Sequence, residues 1–185
     1  MAMPATIRRW TAADVRAMPD DGQRYEVIRG ELFVTPAPAS SHQLVSARLF
    51  AQLTTYLASV GRPDTALYSP ADISWGTHTL VQPDIFVFPP GELTARWSDL
   101  RTLLLAVEIL SPSSVRADRF VKRTLYQQQG VATYWVVDPS ARNVEVWRLG
   151  DETARVETTS LAWQVAPDAP LLTIDLPVLF TGLPE

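Results

Sequence analysis

The sequence contains no cysteine. This absence excludes disulfide bonds, thiolate nucleophiles and cysteine-ligated metal centres, and it fits a reducing compartment. No apolar run approaches the ~20 residues that a membrane span requires, and the first residues lack the long apolar stretch of a signal peptide. We therefore expect a cytoplasmic protein that does not associate with membranes.

An excess of positive charge is also absent, because the formal net charge is −4. Overall electrostatics therefore does not indicate nucleic acid, although a local basic face remains open. Lysine is almost absent: Lys122 is the only lysine among 16 Lys and Arg residues. Because this composition supplies arginine as its usual cation, a lone lysine indicates a position that needs a compact ammonium group. The alternative is chance.

The residues that are present suffice for one domain with a sizeable core, since 46% of the 185 residues are hydrophobic. Helices are predicted over 11–18, from Ser40 or Ser41 to just before Gly61, and from 111–114 to just before Gly130. Predicted extended segments are a hairpin at 24–36 and strands at 66–75, 80–90, 103–110, 131–138 and 143–149. This pattern predicts an α/β (α+β) fold with a central mixed sheet flanked by helices.

Two carboxylates stand in otherwise apolar segments: Asp84 in QPDIFVF and Glu108 in LLLAVEIL. An isolated buried charge is costly, so each must be paired, protonated or bound to a cation. Neighbouring strands lie ~4.8 Å apart and their side chains alternate between faces. If the two strands pair with both acids on one face, the carboxylates converge. Such oxygen ligands, with room for water, suit Mg²⁺.

Lys122 follows Glu108 by 14 residues, on the helix predicted after that strand. Because a helix rises only ~1.5 Å per residue, the long lysine side chain can reach back towards the end of the strand. Two carboxylates, a divalent cation and an ammonium group suit phosphodiester hydrolysis. The metal polarises the phosphate and activates a water, while the lysine orients that water or stabilises the developing charge.

Each of these residues also has a purely structural interpretation. Asp84 can shape a turn after its proline, and Glu108 can form a buried ion pair with an arginine. Lys122 lies four residues after Asp118, which is the spacing of a surface ion pair. Spacing alone does not decide between these interpretations and a catalytic site.

A family resemblance is carried by QPDIFVF and by LLLAVEILSPSSVRADRFVKRTLYQQQGVATYWVVDP. Both segments resemble the Uma2 restriction-endonuclease family, which belongs to the PD-(D/E)xK nuclease superfamily. RYEVIRGELFVTPAPASSHQ is similar to the opening of the family, so the resemblance runs from about residue 24 to about residue 148. It implies a restriction-endonuclease-like core and an endonuclease that acts on DNA with Mg²⁺, for which Mn²⁺ can substitute.

The resemblance implies a single nuclease-like domain over 1–185. Its expected parts are an N-terminal helix and hairpin at 8–36, a core at 40–149, and a C-terminal tail at 151–185. We expect the tail to add a strand and a packing lid.

By the same resemblance, Asp84 is the first metal-binding acid and Glu108 the second. The second residue after Glu108 is Leu110, where the common superfamily pattern has lysine. The resemblance implies that the lysine has moved to the following helix, where Lys122 takes its catalytic role.

Glu26 is a further candidate catalytic acid, because superfamily members often take an acid from an N-terminal element. Its alternative is an exposed hairpin acid that pairs with Arg24 or Arg29. His42, at the start of a predicted helix, is a candidate for contact with phosphate or water, or a plain first-turn residue.

Three arginines close to Lys122 in the sequence, Arg116, Arg119 and Arg123, either form an ordinary charged face or steer phosphate towards the site. Three hypotheses therefore stand together. The first is a Mg²⁺-dependent DNA endonuclease, the second a nuclease fold that binds nucleic acid without cutting it, and the third a structural protein in which Glu108 forms a buried ion pair. A homodimer is also expected, because cutting both strands needs two sites, with TYWVV and VEVWRL as candidate interface strands.

Overall fold

The computed structural model describes residues 8–93 and 99–184. Its helices are α1 Ala12–Arg16, α2 Ser40–Ser59, α3 Arg123–Gln128 and α4 Leu176–Leu179, and a π-helical turn, Ala117–Lys122, leads directly into α3. Its strands are β1 Arg24–Ile28, β2 Glu31–Thr35, β3 Ala66–Tyr68, β4 Ile73–Ser74, β5 Leu80–Val81, β6 Ile85–Val87, β7 Leu105–Ile109, β8 Thr133–Asp138, β9 Asn143–Arg148, β10 Arg155–Glu157, β11 Ser160–Trp163 and β12 Leu172–Asp175.

The largest sheet has six strands in the order β10-β9-β8-β7-β6-β3. Only β7 and β8 run parallel, and the other neighbouring pairs are antiparallel. A parallel pair needs a crossover connection, and the π-helical turn with α3 provides it. The predicted central mixed sheet flanked by helices is therefore confirmed, and the crossover carries Lys122.

The predicted strand at 80–90 is divided between two sheets. β5 belongs to a four-stranded sheet with the order β2-β1-β5-β4, whereas β6 belongs to the six-stranded sheet. Pro83 lies between them, and a proline has no backbone N–H with which to continue a ladder. The prediction of one continuous strand was therefore wrong, and Asp84 lies where the chain passes from one sheet to the other.

The two faces of β7 pack into different parts of the core. Leu105, Val107 and Ile109 face the cluster that includes α2, whereas Ala106 and Leu110 belong to the cluster that includes α3. Glu108 alternates with the first set and therefore shares the face of Ala106. The strand thus presents its one carboxylate towards the crossover that carries Lys122.

The C-terminal tail contributes to both the large sheet and the core. β10 extends the six-stranded sheet at one edge, and β11 and β12 form a separate two-stranded sheet. Leu161, Ile174 and Phe180 are buried in the cluster that includes α2. The tail thus adds a strand and covers part of the core.

The strand β8 lies in the interior of the large sheet. Tyr134 and Trp135 are 2% and 0% exposed, so neither offers a surface to a second copy of the chain. The expected homodimer stays a prediction, without β8 as its interface. Among residues 8–93 and 99–184, no helix combines the length and the apolar character needed to cross a membrane.

Candidate active site

The register of β6 and β7 brings the two candidate metal ligands together. Ile85 pairs with Val107 in the antiparallel ladder, so the next step of the same register places Asp84 opposite Glu108. The backbone N–H of Ile109 also donates a hydrogen bond to Asp84 Oδ2 at 2.7 Å. Pairing of the two strands, left conditional by the sequence, therefore occurs.

Both carboxylates line one small cavity with a volume of about 20 Å³. Its wall is formed by Arg24, Thr35, Pro36, Pro38, His42, Asp84, Glu108, Ile109, Ser111, Ser114, Asp118 and Lys122. A water molecule needs roughly 10–15 Å³ of such volume. The cavity therefore has room for a water or a small ion, but not for a nucleotide.

Asp84 is held by three donors. Arg24 Nη2 donates to Oδ1 at 2.7 Å, and His42 Nε2 lies 3.0 Å from Oδ2, which also accepts from Ile109. Burial works to raise the pKa of Asp84, but the hydrogen bond with His42, the charge of Arg24 and the Ile109 N–H together hold that pKa well below its ordinary value. Asp84 is therefore ionised at neutral pH.

The pKa of Glu108 is shifted in the opposite direction. Burial raises the pKa of Glu108 well above its ordinary value, and the nearby acids raise it further, although the charge of Lys122 opposes them. The hydroxyl of Tyr126 donates to Glu108 Oε1 at 2.7 Å, and Lys122 Nζ lies 3.1 Å from the same oxygen. Glu108 is therefore protonated more readily than an exposed glutamate is.

Lys122 is enclosed by acids. Its Nζ lies 2.8 Å from Glu26 Oε2, 3.1 Å from Glu108 Oε1 and 3.3 Å from Asp118 Oδ1. Burial works to lower the pKa of Lys122, but the charges of the three acids raise it well above its ordinary value. The sequence spacing with Asp118 does produce an ion pair, although in the interior and not at the surface. Lys122 is therefore a fixed positive charge.

The cluster contains more acids than cations. Four carboxylates are buried, those of Glu26, Asp84, Glu108 and Asp118. When all are ionised, the charges of Arg24 and Lys122 compensate two of them and leave two negative charges. Burial also raises the pKa of Asp118, as expected where acids exceed their counter-charges. Either protons or a divalent cation can remove this excess.

The donor set fits Mg²⁺ as a water-rich site. No group of three or more acidic, histidine or cysteine side chains in the described ranges is arranged to hold a metal ion. Mg²⁺, however, usually keeps several waters and takes only one or two carboxylates together with substrate phosphate. The protein contacts of Glu108 fall on Oε1, and Asp84 Oδ1 accepts one hydrogen bond among the described residues. Each acid therefore keeps acceptor capacity for a cation.

Glu26 lies in the same cluster as Lys122, although its strand, β1, belongs to the four-stranded sheet. Its Oε1 accepts a hydrogen bond from the backbone N–H of Gln82 at 2.7 Å, while Oε2 faces Lys122. Glu26 is 2% exposed, so it is not an exposed hairpin acid. It does not line the cavity, and its position indicates a partner of Lys122.

Of the remaining candidates, His42 lies at the cavity and the arginines lie elsewhere. His42 lines the cavity, and its buried Nδ1 has no hydrogen-bond partner among the described residues. Arg119 binds Asp138 and Glu145, and the guanidinium of Arg123 lies 4.6 Å from the centre of the Trp147 ring.

Arg116 is exposed. Arg116, Arg119 and Arg123 do not contribute to the cavity wall.

Three residues of the site were not identified as functional from the sequence: Arg24, Asp118 and Tyr126. Asp118 had a signal, because it lies four residues before Lys122. Arg24 had none, since its contact with Asp84 joins elements 60 residues apart in the chain. Tyr126 also had a signal, because it lies four residues after Lys122 on the predicted helix. The π-helical turn that carries Asp118 and Lys122 was also not predicted. Such turns often occur at functional sites.

The sequence model of the Uma2 family, described as "putative restriction endonuclease", matches residues 12–178. This chain belongs to the Uma2 family. The matched range of this Uma2 protein contains the whole acid and base cluster, from Arg24 to Lys122. Its fold is similar to the crystal structure of a putative nuclease belonging to DUF820 from Anabaena variabilis, with a TM-score of 0.73, 22% identity, and coverage of 94% of this chain and 98% of the other. The comparison with curated proteins gave no match.

Proposed function

We propose that this Uma2 protein is a metal-dependent endonuclease that hydrolyses DNA phosphodiester bonds, with Mg²⁺ as its metal and Mn²⁺ as a substitute. One observation carries the proposal: Asp84 and Glu108 line one water-sized cavity within a cluster whose four buried carboxylates exceed its two cations, Arg24 and Lys122, by two. A divalent cation balances that excess. Family membership and the nuclease-like fold support the same reaction class.

In this proposal Asp84 and Glu108 hold the metal. When bound, the metal polarises the phosphate and lowers the pKa of a water. Asp84 is charged in advance, because its hydrogen-bond donors keep its pKa low. Glu108 would hold the cation as a carboxylate, because a neighbouring positive charge favours the ionised form.

Lys122 acts through its charge and not as a base. Its pKa is raised well above the ordinary value, so it remains protonated and stabilises negative charge that develops on the phosphate. Glu26 holds the ammonium in place, as the 2.8 Å ion pair indicates. His42 is proposed to contact substrate or water through Nδ1, and Arg116, Arg119 and Arg123 are left with an outer, steering role.

The test is a cleavage assay with supercoiled plasmid and labelled single-stranded DNA, in Mg²⁺ or Mn²⁺ and with a chelator control. Wild type is compared with Asp84→Ala and with Asp168→Ala, a control that removes an exposed acid. We expect metal-dependent cleavage that Asp84→Ala lowers by about 10³-fold or more, as for loss of a main electrostatic contribution, and that Asp168→Ala leaves unchanged.

Two results would contradict the proposal. Equal cleavage by wild type and Asp84→Ala would show that Asp84 holds no catalytic metal. DNA binding without cleavage, unaffected by chelator and by Glu108→Gln, would favour a nuclease fold that binds nucleic acid without cutting it.

A further inference from the structure

Arg24 differs from the other charged side chains of the cluster in its accessibility. Its side chain is 18% exposed, whereas those of Asp84 and Lys122 are each 3% exposed. Glu26, Glu108 and Asp118 are buried at least as deeply. Of the two cations in the cluster, Arg24 is therefore the one that a molecule arriving from solvent can meet.

Arg24 also keeps unused hydrogen-bond donors. A guanidinium group has five N–H bonds. Nη1 donates to the backbone oxygen of Gln82 at 3.2 Å, and Nη2 donates to Asp84 Oδ1 at 2.7 Å. Among the described residues no third acceptor bonds to Arg24, so the group is fixed in place by two contacts and retains donors for a ligand.

Arg24 forms part of the wall of the cavity of about 20 Å³ that contains Asp84 and Glu108. A nucleotide does not fit within the cavity, so a phosphate must approach at its opening. Lys122 also lines the cavity, but three carboxylates bind its ammonium group, whereas the Arg24 side chain is the more exposed of the two.

We propose that Arg24 binds the scissile phosphate at the opening of the cavity, as a catalytic residue in addition to Asp84, Glu108 and Lys122. The planar guanidinium can place two N–H bonds on two phosphate oxygens, which a lysine cannot do. This inference rests on the proposed nuclease function, and it assigns to that function the residue that first contacts the substrate phosphate.

The proposal predicts that loss of Arg24 affects metal binding and DNA binding in opposite ways. The charge of Arg24 repels a divalent cation next to Asp84, so Arg24→Met should bind Mn²⁺ at least as tightly as wild type does. The same change should weaken binding and cleavage of DNA. If Arg24 merely held Asp84 in position, its loss would instead weaken the binding of Mn²⁺.

The experiment compares wild type, Arg24→Met, Arg24→Lys and Arg16→Met. Arg16 is the matched control, because its ion pair with Asp72 at 3.4 Å lies outside the cavity. Calorimetry measures binding of Mn²⁺ alone, fluorescence anisotropy measures binding of labelled DNA without metal, and initial rates give kcat and KM. Thermal unfolding checks that each variant is folded.

For Arg24→Met we expect unchanged or tighter Mn²⁺ binding, weaker DNA binding, and a kcat/KM lower by about 10²-fold, the scale of losing one preorganised charge donor. Arg24→Lys should recover part of that loss, because it restores the charge without the two-pronged contact. Arg16→Met should resemble wild type.

Weaker Mn²⁺ binding in Arg24→Met with unchanged KM and DNA affinity would overturn the inference, and so would cleavage equal to that of Arg16→Met. If wild type neither binds Mn²⁺ nor cleaves DNA, the proposed function fails. The anisotropy comparison of Arg24→Met with Arg16→Met then still decides whether Arg24 contacts phosphate: weaker DNA binding supports it, and equal binding overturns it.

Discussion

Asp84 and Glu108 face each other across β6 and β7, yet their surroundings shift their pKa values in opposite directions. Both are almost fully buried, and burial works to raise the pKa of each. Around Asp84, His42, Arg24 and a backbone N–H outweigh that effect. Around Glu108, one ammonium group and one hydroxyl do not. The number of donors and nearby acids, and not depth, thus decides the charge of each carboxylate.

The opposite pKa shifts indicate that the Asp84 side and the Glu108 side of the cavity differ in their need for a cation. The Asp84 side is complete without a metal, because every charge there has a counter-charge. On the other side, Glu26, Glu108 and Asp118 share the single ammonium of Lys122. The acids therefore outnumber the cations on the Glu108 side, and an added cation relieves repulsion there first.

Loss of the Lys122 ammonium group, which three acids share, should have the largest effect on stability and activity. Lys122→Met leaves three buried carboxylates without their counter-charge, so we expect the free energy of unfolding to fall by about 3–5 kcal/mol and cleavage to be lost. Urea denaturation measures the first effect. Arg155→Met is the control, since the Arg155 side chain is exposed and its ion pair with Glu157 should contribute no more than about 1 kcal/mol. Equal stability of the two variants would show that the acids do not depend on Lys122.

The importance of Lys122 was visible in the sequence, because the chain has a single lysine and many arginines. The position of Asp84 opposite Glu108 was predicted only as a condition, since sequence patterns show faces of strands but not which strands pair. An unbroken apolar run also predicted β7, and the serines at 111–114 with Gly130 predicted the helix that follows it. The strand and the helix each depend on residues that are close together in the chain, so sequence patterns can predict them.

The contact of Arg24 with Asp84 could not be predicted in this way. Arg24 reaches Asp84 from a different sheet, 60 residues away in the chain, and no local spacing encodes that approach. The break at Pro83 was readable as a turn signal, but the division of 80–90 between two sheets depends on the whole topology. The sequence thus predicted Asp84, Glu108 and Lys122 as site residues and missed Arg24, which binds Asp84 from another sheet.

The opposite pKa shifts predict opposite responses to neutralisation of each acid. Glu108→Gln should raise the free energy of unfolding of the metal-free protein at neutral pH by about 1–2 kcal/mol, because it removes one of the acids that share Lys122. Asp84→Asn should lower it, because Arg24 then loses its counter-charge. Urea denaturation in chelator compares the two variants with wild type.

The gain from Glu108→Gln should depend on pH with a definite sign. The folded-state pKa of Glu108 lies above its ordinary value of 4.5, so the folded protein binds this proton more tightly than the unfolded chain does. Wild type therefore loses stability as pH rises above that value, until the folded-state pKa is passed. Wild type and Glu108→Gln should have similar free energies of unfolding below pH 4.5, and the difference between them should grow as the pH rises above 4.5. A constant difference at all pH values would show that folding does not change the pKa of Glu108.

The smallest effect should come from the hydroxyl that orients Glu108. Tyr126→Phe removes the hydrogen bond to Glu108 Oε1 at 2.7 Å, and Tyr134→Phe removes one to the backbone oxygen of Asp118 at 2.9 Å. The two rings lie 4.8 Å apart and are both buried, so each change should cost about 1 kcal/mol of stability.

Only Tyr126→Phe should weaken the binding of Mn²⁺, by about 10-fold or more, because groups that orient a metal ligand affect affinity on that scale. Calorimetry of both variants separates this effect from packing. If both lose the same affinity, the aromatic pair supports the site as a whole. If only Tyr126→Phe does, its hydroxyl keeps Glu108 Oε1 occupied and leaves Oε2 for the cation.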